Sequence, residues 1–146
     1  MSAGYMVLFV YLLIMAVCDV KTREIHIPVS LAAAIMLLAE QLYFILRGEQ
    51  SVQSILLGML IGGVLILISV LTGGQIGVGD GILFLVSGLV FGFYENTVLL
   101  FLSLLFTSFA SGVLILIKHV DRKFTLPFAP FVLAGYGVMC VWKIFV

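Results

Sequence analysis

The chain has 146 residues, 64% of them hydrophobic and 10% charged, with a mean hydropathy of +1.35; this lies far outside the balance of a water-soluble globular domain and reads as an integral membrane protein. The formal net charge is zero, so no basic surface or acidic tail points to nucleic acid as a partner. Cys18 and Cys140 lie in or beside apolar runs and form no CxxC pair, which argues against a thiolate metal site and a disulfide framework.

Apolar runs of about 20 residues each suffice to cross a hydrocarbon core about 30 Å thick, and roughly six of them take up most of this chain. The expected architecture is therefore a single all-α, membrane-embedded domain over residues 1–146, a bundle of about six transmembrane helices. The first span covers 3–18; "MSAGYMVLFVYLLIMAV" lacks the positive segment of a cleaved signal peptide and reads as retained in the mature chain. It leads into "CDVKTRE", where Asp19 stands at the span's end beside Lys21 and Arg23. The second span, 29–46, contains Glu40 and Gln41. An intramembrane carboxyl is a functional candidate by default, but Glu40 falls toward the end away from Asp19, where a hydrogen bond within the bundle is the simpler reading. The third span covers 53–71, and the fourth, 80–94, is short and opens on Asp80 behind the glycines of "GGQIGVG". The fifth covers 97–117, and the sixth, 127–145, opens in "LPFAPF" and closes near Trp142 and Lys143, a pair suited to anchoring at an interface. Helices are predicted throughout, because only helices and closed barrels satisfy backbone polar groups in lipid and these runs show no alternating period.

Lys21, Arg23, Lys118, Arg122 and Lys123 fall in the loops after odd-numbered spans, against Arg47 and Lys143 on the opposite side. This asymmetry places the odd-numbered loops in the cytoplasm and both termini outside, in the cytoplasmic membrane. Lys118, Arg122 and Lys123 read as anchors for anionic lipid. Small residues recur four apart at Ser54, Gly58 and Gly62, at Gly88 and Gly92, and at Ser108 and Gly112. Such faces let helix backbones approach in lipid, within one chain or across a homodimer.

The chemistry-bearing residues are few. Asp19, Asp80 and Asp121 lie at or near the predicted cytoplasmic boundaries. One span precedes Asp19 and three precede Asp80, so both emerge on the same side whichever side that is. Two neighbouring carboxylates partly withdrawn from water do not both ionise cheaply, and one keeps a proton. An ionised and a protonated carboxyl are the base and the acid needed to activate water against a peptide carbonyl. Taken alone, Asp80 reads equally as a helix cap, since an aspartate there accepts free N–H groups and suits the helix dipole. A G-x-G-D string by itself arises in roughly three chains of this composition in a hundred. His26 and His119 have no ligand spacing, and neither a metal nor an organic cofactor is expected.

Together, "CDVKTREIHIP", "GVGD" and "LPFAPF" resemble the type IV prepilin peptidases, membrane aspartyl proteases of the GxGD class. Asp19, Arg23 and Ile25 match that family's first motif, D-x-x-x-R-x-I-P-N; Gly77, Gly79 and Asp80 match its G-x-G-D string, and Pro127 to Phe131 match its proline-containing segment. His26 stands at the usual proline position, with Ile27 and Pro28 following, and Ile82 replaces a lysine common in bacterial members. The resemblance implies Asp19 and Asp80 as catalytic residues. It implies Gly77, Gly79, Arg23, Pro127 and Pro130 as residues that bind substrate or shape the site, with the glycines admitting substrate backbone. The implied substrate is a prepilin-like precursor with a short basic leader ending in Gly, then a hydrophobic helix with a Glu near its start. The chain looks like the compact form without the CxxC domain, so cleavage without methylation is expected. Two other classes remain open from the residues alone: a small transporter or channel subunit using the aspartates as ion or proton sites, and a non-catalytic assembly protein built on its small-residue faces.

Overall fold

The computed structural model describes residues 3–23, 25–74, 77–118 and 126–145. Among these residues five helices form and no strand: α1 (Ala3–Thr22), α2 (Ile27–Leu46), α3 (Val52–Leu71), α4 (Val78–Lys118) and α5 (Ala129–Phe145). The first four are long and apolar enough to cross a membrane, and α5 is a shorter apolar helix. Large apolar side chains such as Leu31, Leu67, Phe101 and Phe109 face outward. The chain is a membrane protein.

The expected count of six helices is corrected to five, and the cause is local. Spans 80–94 and 97–117 are joined in α4, because Glu95 and Asn96 are helical and form no loop. In its place stands a one-residue break at Gly92, with φ 69° and ψ −171°, a conformation that glycine adopts without steric cost. The break is sharp. Asn96 Nδ2 donates to the carbonyl of Phe84, twelve residues earlier, at 2.9 Å, whereas twelve residues of straight helix span about 18 Å. The arms 78–91 and 93–118 therefore fold against each other.

Local chemistry explains the other boundaries. Ser51 caps α3, its hydroxyl accepting from Ser54 N–H at 3.2 Å. Pro28 sits in the first turn of α2, where its missing N–H costs nothing. Gly48 and Gly74 take positive φ just beyond α2 and α3, and their N–H groups bond the carbonyls of Ile45 and Ser69. At the end of α1 the left-handed residue is Arg23, φ 54°, whose N–H donates to Asp19 O at 3.0 Å. A left-handed arginine costs roughly 1–2 kcal/mol more than a glycine there.

The small-residue faces of α3 and of α4's first arm meet each other. A Cβ on Gly58 would run into Gly88 O and Gly92 Cα, and one on Gly62 into Leu85 N and Gly81 O, so the two backbones touch. Ser108 is exposed and a Cβ on Gly112 would meet nothing, so that third pair packs against none of the described residues. Leu8, Leu12 and Met15 of α1 close the core against Leu83 and Phe84 of α4 and Val132 of α5.

Polar contacts lock one end of the bundle. Lys143 Nζ donates to Tyr5 Oη at 2.6 Å and pairs with Glu95 at 2.8 Å, tying α1, α4 and α5. Glu40 Oε1 accepts from Gly4 N–H at 2.8 Å, tying α2 to α1. Glu40 thus serves a hydrogen bond within the bundle, as its position in the sequence indicates.

Candidate functional site

The opposite end of the bundle gathers three helix termini. Asp19 lies in the last turn of α1, half-buried, and its Oδ2 accepts the backbone N–H of Ala129 at 2.8 Å. Asp80 lies in the first turn of α4, also half-buried, with its own N–H donating to Gly77 O at 3.0 Å. The two carboxylates are close enough for the charge of Asp19 to act on Asp80. One turn beyond Asp80, Phe84 packs on Phe128 with ring centroids 6.2 Å apart, and Phe128 directly precedes Ala129. Residues 61 apart in sequence are thereby brought to one corner, where α1 ends and α4 and α5 begin.

The segment "PFAPF" builds its share of this corner through the backbone. A helix leaves its first N–H groups unpaired. At the start of α5, Phe131 and Val132 N–H groups both donate to Phe128 O, at 3.0 and 3.2 Å, and Pro130 has none to give. Ala129 is left with a free donor, and it points at Asp19. Pro130 and its neighbour Pro127 are half-buried. They shape the turn that aims this N–H, and neither brings a polar side chain.

The glycines around Asp80 differ in what they face. Gly77 is exposed, and a Cβ there would stand 3.3 Å from Asp80 Oδ2. Gly79 is covered: a Cβ would lie 2.7 Å from both Cγ1 and Cδ1 of Ile25. Gly81, on the other flank of Asp80, rests on α3, where a Cβ would come within 2.5 Å of Ile66 Cγ1 and 3.1 Å of Gly62 O. Arg23 is exposed in the turn that ends α1, four residues beyond Asp19.

Of the residues that the sequence marks, Asp19, Asp80, Gly77 and Gly79 come together, with Pro127 and Pro130 behind Asp19. Asp121, His119, Arg122 and Lys123 lie outside the described residues. Two participants act without a polar side chain. Ala129 acts through a main-chain N–H, betrayed only by the proline after it, and Ile25 acts by filling the space a glycine leaves. Among the described residues no group of three or more His, Cys, Asp or Glu side chains is placed to hold a metal ion.

The apolar helical bundle thus carries two aspartates at helix ends that meet at one corner, the end of α1 and the start of α4. The chain belongs to the type IV leader peptidase family, whose sequence model matches residues 6–116. That match covers both aspartates and the glycines between them, and it stops short of α5. No curated protein and no solved structure matches the chain.

Proposed function

We propose that this peptidase is an aspartic endopeptidase that removes the short basic leader, after its terminal Gly, from prepilin-like precursors. The observation that carries this reading is that Asp19 and Asp80, on separate helices, stand at one corner, tied together through the Ala129–Asp19 hydrogen bond and the Phe84–Phe128 contact. An ionised carboxylate takes a proton from water as the water oxygen attacks the scissile carbonyl; the protonated partner polarises that carbonyl and then supplies the proton to the leaving amine. The Ala129 N–H fixes the orientation of one Asp19 oxygen and leaves the other for water. Gly77, open to solvent beside Asp80, is where substrate backbone approaches without meeting a side chain.

Lys21 and Arg23 flank Asp19, and this favours a cytoplasmic placement for the aspartate end. A precursor lying in the cytoplasmic membrane with its leader on that side presents its scissile bond at this level. Arg23, in the turn that ends α1, takes part in shaping the site.

The test is processing of a co-expressed precursor. Asp19→Asn and Asp80→Asn should each abolish cleavage while membrane insertion is retained. Processing near the wild-type rate by either variant would sink the two-aspartate mechanism.

A further inference from the structure

Gly79 has a peculiarity that its motif alone does not explain. Its φ is not positive, unlike those of Gly73, Gly74 and Gly92, and it lies inside the first turn of α4. The backbone conformation therefore admits any residue, and only lack of space calls for a glycine. What takes the space is Ile25: a Cβ on Gly79 would lie 2.7 Å from its Cγ1 and Cδ1 and 2.9 Å from its Cβ. Ile25 is half-buried, packs on the core, and belongs to the short connection between the turn at Arg23 and the start of α2. It lies six positions after Asp19, and Gly79 adjoins Asp80. This contact links the segment after one aspartate directly to the residue before the other.

We propose that Ile25 is a positioning residue: seated on the bare backbone of Gly79, it acts as a spacer that sets the separation of Asp19 and Asp80. The role rests on the two-aspartate reading above. A β-branched side chain suits it, because few χ1 states are open and the spacer is stiff. On the far flank of Asp80, Gly81 sits on Gly62 and Ile66 of α3, so the start of α4 is held between the Ile25 contact and α3. Neither face leaves room to absorb an added methyl.

Steady-state cleavage of a detergent-solubilised precursor by the full chain provides the first readout. Placing a methyl at 79 displaces the loop by about 1 Å, so Gly79→Ala should lower kcat about 100-fold. Ile25→Ala, which removes the spacer, should lower kcat about 10-fold with KM unchanged, and Ile25→Val, which keeps Cβ and Cγ1, should restore most of the rate. The decisive variant is the double one. In Ile25→Ala/Gly79→Ala the two small side chains share the gap, and kcat should recover about 10-fold over Gly79→Ala alone. A double variant no better than Gly79→Ala overturns the proposal.

A second readout does not depend on catalysis. With Cys18→Ser and Cys140→Ser in place, Asp19→Cys and Asp80→Cys should be bridged by a short bifunctional thiol reagent. The yield should fall when Ile25→Ala or Gly79→Ala is added, and an unchanged yield overturns the spacer role. A changed yield, found together with Asp→Asn variants that still cleave, supports the spacer and counts against the catalytic reading instead.

Discussion

Asn96 is the residue whose removal should most clearly expose how this bundle is held. It is fully buried in lipid-facing protein, yet makes three hydrogen bonds: Nδ2 donates to Gly58 O at 3.0 Å and to Phe84 O at 2.9 Å, and Oδ1 accepts from Ser87 Oγ at 2.7 Å. Two carbonyl acceptors on one side fix the amide's orientation, since an inverted amide would set oxygen against oxygen. The bonds join α4's second arm to its first arm and to α3, across the break at Gly92. Interhelical hydrogen bonds in membranes average about 0.6 kcal/mol, because the unfolded chain in lipid also finds partners. Three of them amount to about 2 kcal/mol, or roughly a 30-fold shift in the unfolding equilibrium of Asn96→Ala.

Reversible unfolding in mixed micelles, followed by loss of helical circular dichroism, measures that shift. Ser87→Ala removes one bond and should cost about 0.6 kcal/mol, and the Ser87→Ala/Asn96→Ala double variant should cost less than the sum, since both delete the same contact. An Asn96→Ala chain within about 0.5 kcal/mol of wild type would refute the reasoning, because the network would then not be what closes the two arms together.

Two further predictions concern the site and its support. Gly62→Ala pushes a methyl into Gly81 O and Leu85 N, with only backbone to give way, and should destabilise by about 1–3 kcal/mol, whereas Gly63→Ala, next along the same helix, meets nothing and should be neutral or stabilising by up to about 1 kcal/mol. The same unfolding assay compares them, and equal effects would contradict the close approach of α3 and α4. For the rate of leader removal, a two-aspartate mechanism requires a bell-shaped pH profile, lost on the acid side when both carboxyls are protonated and on the alkaline side when both are ionised. A rate that rises to a plateau with a single limb would refute the need for both an acid and a base.

The shared placement of the two aspartates was legible in the sequence, for topological reasons. Counting spans before Asp19 and Asp80 puts both on one side without any knowledge of packing, and the structure brings them to one corner. The number of helices was less legible. Glu95 and Asn96 resemble a polar turn between spans, but the Glu95 carboxylate pairs with Lys143 and the Asn96 amide is absorbed by Gly58, Phe84 and Ser87. Gly88 and Gly92 look alike in a small-residue pattern, although Gly88 packs against Gly58 and only Gly92 breaks the helix. Ala129 was invisible because its contribution is a main-chain group; Ile25 stands in the first motif, but its packing against Gly79 is a tertiary contact that no motif shows.

The location of the aspartates at helix ends follows from the solvent. Within a transmembrane helix each N–H is committed to a carbonyl one turn earlier, so an ionised carboxylate in mid-span finds no backbone donor. Only a helix N-terminus offers free N–H groups and the positive end of the dipole at membrane depth. The chain places two such termini at one corner, those of α4 and α5, and carries Asp80 on the first while aiming the Ala129 N–H of the second at Asp19. Pro130 sharpens this arrangement by removing a competing donor from the α5 terminus. The break at Gly92 contributes from the other end: by folding α4 back after a short first arm, it lets 14 residues, 78–91, reach from the aspartates to the Glu95–Lys143 pair, so the α4 N-terminus is pinned between α3 and the connection bearing Ile25. The placement of the two acids thus depends on where helices start and stop as much as on the acids themselves.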